Sequence, residues 1–191
     1  MIDAKLASLG ILAGGRGSRL GGVDKALLEY QGMTLLERVL RVFPEPFAER
    51  LLSYNREPSP LVSTFGLRIV ADLRPGQQGP LAALEALLGA CKTPWLLTVP
   101  VDIRDWPAEL ASDLMSATAD VAHGCVLRDA DGLQPLVGLW NVPAMRDSTT
   151  AALDSGERAV HRWLAASPLP LHDISPWRLG NLNSPADFAA R

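Results

Sequence analysis

The sequence predicts an α/β fold, a three-layer, mostly parallel sheet with helices on both faces, on three observations. Short apolar runs alternate with helix-period segments along the whole chain, the pattern of strand–helix–strand units. Four of the apolar runs end in a glycine, asparagine or aspartate, as strands that feed a ligand crevice do. The 191 residues show no repeat, linker or low-complexity segment, so one domain spanning residues 1–191 is expected.

The elements follow in order. Residues 6–12 form a short apolar run bounded by glycine, a buried first strand. Residues 13–22 hold five glycines, too many for regular structure. Thr34 and Glu37 match a capping box, so a helix starts at Leu35 and stops before Pro44. Residues 50–54 and 67–71 read as strands that release Asn55 and Asp72 into loops. Gly79-Pro80 opens a helix with Leu81, Leu84, Leu87 and Leu88 on an apolar face, proline suiting the first turn. Residues 95–99 form a hydrophobic strand that runs into Pro100-Val101-Asp102. Pro107 starts a helix to about residue 118, with Asp105 as its expected cap. Strands at 120–127 and 133–140 flank an Asp129-Ala130-Asp131-Gly132 turn. Helices at 143–153 and 158–166 precede a strand at 169–174, and Ser184-Pro185 caps a final short helix.

Composition narrows the function. A net charge of −3 lacks the electrostatic footprint of a nucleic-acid binder. No apolar stretch approaches the roughly 18 residues of a membrane span, and the first residues read as a strand, not a signal peptide. No nucleic-acid or membrane partner is expected, and the location expected is cytoplasmic. Two distant cysteines and three scattered histidines argue against a structural zinc site or a disulfide framework.

The glycine-rich loop is the strongest local signal. Backbone N–H groups in such a loop approach anionic oxygens closely, and Arg19 and Lys25 add positive charge. The dinucleotide pattern fails, because Leu20 stands where the third glycine belongs. The P-loop pattern fails too, with Val23 in place of its lysine. Leu12-Ala13-Gly14-Gly15, Arg19, Gly21-Gly22 and Asp24-Lys25 instead resemble the signature of the molybdenum cofactor guanylyltransferases. The resemblance continues through Asn55, Asp72, Gly79-Pro80-Leu81, Asp102 and Asn181-Leu182-Asn183-Ser184-Pro185, nearly the whole chain.

That resemblance implies a Rossmann-like nucleotidyltransferase (glycosyltransferase-A-like) fold and transfer of GMP from GTP to molybdopterin or its molybdenum-loaded form. It implies nucleotide binding by Leu12, Ala13, Gly14, Gly15, Lys25, Asn55, Asp72, Gly79 and Asp102. Catalytic roles fall on Arg19, Lys25 and Asp102, with Asp102 the ligand of a magnesium ion. Asn181 and Asn183 fall on the pterin side. GTP and molybdopterin are the implied partners, with transient contacts to cofactor-biosynthesis or acceptor proteins. The sequence departs from the family's Pro-Cys-Asp-x-Pro pattern: Val101 replaces the cysteine and Arg104 the second proline, within reach of Asp102. Cytidylyl or sugar-phosphate nucleotidyl transfer on the same fold, and a module that binds nucleotide without catalysis, are the alternative readings.

Overall fold

The computed structural model describes residues 2–13, 24–44, 46–57, 59–76, 78–117, 122–166 and 169–189. In chain order the strands are β1 (Ala7–Leu12), β2 (Glu29–Tyr30), β3 (Met33–Thr34), β4 (Glu49–Ser53), β5 (Arg68–Val70), β6 (Trp95–Pro100), β7 (Gly124–Asp129), β8 (Gly132–Asn141) and β9 (Leu171–Asp173). The α-helices are α1 (Leu35–Val42), α2 (Pro60–Thr64), α3 (Pro80–Ala90), α4 (Leu110–Ala117), α5 (Val142–Asp154), α6 (Val160–Ala166) and α7 (Pro185–Ala189).

Seven strands form one sheet in the order β5-β4-β1-β6-β8-β7-β9. β5, β4, β1 and β6 pair in parallel, β8 runs antiparallel to both β6 and β7, and β9 is parallel to β7. Only β8 therefore opposes the common direction. Two apolar cores fill the layers. α1, α2 and α4 meet one face through Leu36, Val39, Val62, Leu110 and Leu114. α3, α5 and α6 meet the other through Leu84, Leu87, Met145 and Trp163. The three-layer expectation holds. No helix among the described residues is long and apolar enough to cross a membrane.

Several local expectations hold for their stated physical reasons. Thr34 and Glu37 cap α1 reciprocally, Thr34 Oγ1 accepting from the Glu37 amide and the Glu37 carboxylate from that of Thr34. β1 begins one residue later than the apolar run suggests, because Leu6 closes a 3₁₀ turn and is exposed. Gly10 lies where α3 presses on the sheet: a Cβ there would stand 3.0 Å from Leu96 Cδ1 and 3.2 Å from Leu87 Cδ1. Other expectations are corrected. α4 starts at Leu110 rather than Pro107, and Asp105, expected to cap it, pairs with Arg104 at 2.7 Å. The small β2–β3 hairpin and α2, which Ser59 caps, carry too short a period to stand out in the sequence.

α3 is buried on every side from Leu81 to Leu88, not on one face only, because α5 covers the side turned away from the sheet. That burial encloses Glu85, which is 4% exposed. Arg74, in the loop after β5, answers the charge with two N–H bonds of 2.9 Å to its carboxylate oxygens. Another Arg74 nitrogen reaches Asp154, at the end of α5, at 2.7 Å. The paired guanidinium holds the Glu85 carboxyl below the usual carboxylate range. Breaking such a pair by removing one partner costs about 3–5 kcal/mol, since a buried charge is left unanswered. Arg74→Met is expected to fall at the lower end of that range in urea denaturation, and Arg74→Met/Glu85→Leu to recover most of the loss. A single variant as stable as the parent would contradict the pairing.

Candidate active site

The parallel strands β1, β4, β5 and β6 end on one side, the crevice side of an open α/β sheet, where Ala13, Asn55, Asp72 and Asp102 lie just beyond them. A cleft of about 210 Å³ opens there. Its walls are Leu12 from β1, Pro80 and Ala83 from α3, Asp102 and Ile103 after β6, Gln134 to Val137 from β8, and Asn181.

The cleft exists because β8 leaves its neighbour. β6 and β8 pair only as far as Thr98↔Gly138, and the β7–β8 register shifts between Val126 and Leu127. Pro135 lies in that shift; with no N–H it cannot continue a ladder, so the strand bulges. The bulge is pinned from inside: Trp140 Nε1 donates to Thr98 Oγ1 (2.7 Å), which donates to the Leu136 carbonyl (2.9 Å). Gln134, Pro135 and Leu136 thereby line the cleft, and Gln134 Nε2 donates to the buried Asp129 Oδ1 at 3.0 Å. Sequence reading missed this wall; a proline inside an apolar strand was the signal for it.

At the cleft's polar end, Lys25 Nζ lies 2.5 Å from Asp102 Oδ2 and donates to Asn183 Oδ1 at 2.8 Å. Both charged side chains are 20% exposed, open to a ligand yet partly withdrawn from water. Each arrives by a different route. Lys25 opens a 3₁₀ turn, Lys25–Leu27, capped by Asp24, whose Oδ1 accepts from the Ala26 amide at 3.1 Å. Asp102 follows β6, where Val101 and Ile103 are buried on either side. Asn183 comes on a segment that runs antiparallel beside residues 102–105, with the bridge Ile103↔Asn181 and Leu182 N–H to the Asp102 carbonyl at 2.8 Å. Asp187 fixes that segment by accepting from the Asn183 and Ser184 amides (2.9 and 2.7 Å) and the Ser184 hydroxyl (2.9 Å), which lowers its pKa. The capping expected of Ser184 thus runs the other way: its hydroxyl donates to the acid of the first turn.

The structure brings Lys25, Asp102 and Asn183 together, places Leu12 and Asn181 on the cleft wall, and buries Ala13 beside β4, its amide donating to the Ser53 carbonyl at 3.3 Å. Asn183, expected on the pterin side, accepts from the Lys25 ammonium. Gly14, Gly15 and Arg19 lie outside the described residues. Arg104 does not compete for Asp102; it turns to Asp105 and covers Gly180, where a Cβ would stand 2.9 Å from its Nη2.

Asn55 and Asp72 form a second pair, and Gly79 follows in the loop that leads to α3. Asn55 Oδ1 accepts from the Asp72 amide at 2.8 Å. Gly79 has φ +87°, a conformation that favours glycine, and it opens α3 with no side-chain cap. The Asp72 carboxylate has one buried oxygen, Oδ1, with no hydrogen-bond partner. Burial raises its pKa; the Asn55 hydrogen bond opposes the shift and nearby Glu85 adds to it.

No group of three or more His, Cys, Asp or Glu side chains converges among the described residues. A lone carboxylate such as Asp102 nonetheless suits Mg²⁺, which completes its octahedron with substrate phosphates and water. That Lys25 already rests on this oxygen shows a position that favours positive charge.

Residues 9–169 match the family model described as MobA-like NTP transferase domain. The chain is 36% identical over 171 residues to the molybdenum cofactor guanylyltransferase of Bordetella petrii, covering 86% of each. It is 34% identical over 181 residues to that of Shewanella sediminis, covering 92% of this chain and 90% of the relative. Among solved structures, molybdopterin-guanine dinucleotide biosynthesis protein A from Archaeoglobus fulgidus superposes with a TM-score of 0.77 at 21% identity, over 95% of each chain. The 2-C-methyl-D-erythritol 4-phosphate cytidylyltransferase of Thermus thermophilus has the same fold, with a TM-score of 0.69 at 18% identity over 94% of each chain.

The raised Asp72 pKa has a consequence for stability. The folded protein binds that proton more readily than the unfolded chain, so the ionised carboxylate opposes folding at neutral pH. This opposition fades as pH falls through the raised value. Asp72→Asn is therefore expected to melt above the parent at pH 7, with the margin shrinking toward acid pH in calorimetric scans. A lower melting temperature at pH 7 would contradict the buried, unpartnered oxygen.

Proposed function

The chain belongs to the MobA-like NTP transferase family, and from that premise we propose that it transfers GMP from GTP to molybdopterin or its molybdenum-loaded form. An oxygen of the pterin's terminal phosphate attacks the α-phosphorus of GTP, the bond to the bridging oxygen breaks, and pyrophosphate leaves. The convergence of Lys25, Asp102 and Asn183 at the cleft mouth carries this reading. Such chemistry needs alignment and charge neutralisation more than a protein nucleophile.

Each residue then has a task. Lys25 moves its positive charge onto the triphosphate, and the glycine-rich loop, including Gly14, Gly15 and Arg19, contributes further donors. Asp102 would hold Mg²⁺. When bound, that ion neutralises charge on the attacked phosphate and on the departing pyrophosphate. Asn183 orients the Lys25 ammonium and so serves both substrates, while Asn181 and the β8 bulge line the acceptor side. Gly79 leaves the N-terminus of α3 without a side-chain cap, where a nucleotide phosphate would be favoured.

The carboxylate of Asp72, just beyond β5 on the crevice side of the sheet, would favour guanine over cytosine. Guanine offers two adjacent donors, N1–H and the 2-amino group, whereas cytosine turns an acceptor, N3, toward the same position. CTP is accordingly expected to replace GTP poorly, and Asp72→Asn to narrow the preference.

The test is magnesium-dependent pyrophosphate release by the full chain with GTP and molybdopterin. Asp102→Asn is expected to lose about three orders of magnitude in turnover, each order costing about 1.4 kcal/mol of barrier. Lys25→Ala removes a charge-assisted contact worth about 1.5–3 kcal/mol and should lose roughly ten- to hundredfold. Asn183→Ala should impair the reaction at saturating GTP without loss of the fold, since the Asp187 contacts run to backbone amides. Wild-type turnover and magnesium dependence in Asp102→Asn would sink the assignment.

A further inference from the structure

Tyr54, just beyond β4, takes no part in the cleft wall, yet it controls a residue that does. The residue is 3% exposed, and its backbone amide donates to the Val70 carbonyl at 2.9 Å, so its backbone is tied to the sheet. Its hydroxyl donates to Asp24 Oδ2. The other oxygen of the same carboxylate caps the turn that carries Lys25, accepting from the Ala26 amide at 3.1 Å. Both Asp24 oxygens are therefore committed: one to the sheet, one to the turn.

We propose that Tyr54 is a positioning residue for nucleotidyl transfer, holding Asp24 so that the Lys25 ammonium points at Asp102 and the incoming phosphates. Two physical effects combine. The phenol–carboxylate bond locks the cap and with it the direction in which Lys25 leaves the backbone. It also engages the Asp24 carboxylate with Tyr54 and the Ala26 amide, while the Lys25 ammonium reaches Asp102 and Asn183. The donor is present across the working pH range, because burial, followed by the Asp24 hydrogen bond, pushes the Tyr54 pKa up to about 12. This inference rests on the role assigned to Lys25 above.

The test is a double-variant cycle on the full chain, with Tyr54→Phe, Lys25→Met and the pair. It is read as pyrophosphate release with GTP and molybdopterin, and independently as calorimetric binding of Mg·GTP without acceptor. Tyr54→Phe removes one hydrogen bond and is expected to slow turnover about tenfold. The pair should be no slower than Lys25→Met alone, because the hydroxyl acts through that ammonium, whereas a merely structural tyrosine would give losses that multiply. Multiplying losses, or a Tyr54→Phe variant with unchanged turnover and Mg·GTP affinity beside a slow Lys25→Met, would overturn the inference and leave the transfer reading intact. A Lys25→Met variant with wild-type turnover and Mg·GTP affinity would overturn both.

Discussion

The contact of Lys25 with Asp102 and Asn183 joins three distant stretches of chain, and the architecture around it serves to deliver those three side chains to one point. A lysine and an aspartate held this close and this little exposed need partners fixed in place, or the cost of withdrawing charge from water outweighs their attraction. The chain meets that demand by burying each residue's neighbours. Ala26 and Leu182 are fully buried beside Lys25 and Asn183, and Val101 and Ile103 flank Asp102 within the same core. Each polar residue is thus held by at least one fully or nearly fully buried apolar neighbour in the chain. The departure from the family pattern around Asp102 reads naturally in this light. Val101 fills the core where the cysteine is usual, and Arg104 folds over Gly180 in place of the second proline.

The reversed strand supplies the room. Had β8 paired with β6 over its full length, the end of β6 would face a closed sheet. Pro135 interrupts the ladder, and the buried Trp140–Thr98–Leu136 chain of hydrogen bonds holds the resulting bulge in one conformation. On the other side, the Arg74–Glu85 pair ties the loop between Asp72 and Gly79 to α3. The cleft is thereby framed by two buried polar devices, one on each flank. Asp72 sits beside the second, with one carboxylate oxygen buried and without a hydrogen-bond partner.

Much of this was legible in the sequence, for reasons that are local. Apolar runs ending in Asn55, Asp72 and Asp102 mark strands and the polar residues they release, and Thr34 with Glu37 marks the start of a helix through side-chain reach alone. The parts that escaped depend on distant partners. The Leu spacing in α3 describes one face, and only the presence of α5 shows that the other is covered as well. Pairing of residues 102–105 with 179–182 carries no periodic signature, so the meeting of Asn183 with Lys25 could not be read from spacing. The same holds for Tyr54, whose hydroxyl meets a carboxylate thirty positions away.

In the proposed reaction this cleft joins the α-phosphate of a guanine nucleotide to a pterin phosphate. A single-turnover reaction of the full chain with magnesium, molybdopterin and GTP labelled at either the α- or the γ-phosphorus tests it most directly. The α-label is expected to enter the pterin product in step with release of pyrophosphate, and the γ-label to leave entirely in the pyrophosphate. Transfer of the γ-label to the pterin, or pyrophosphate release with no α-label in the product, would contradict it.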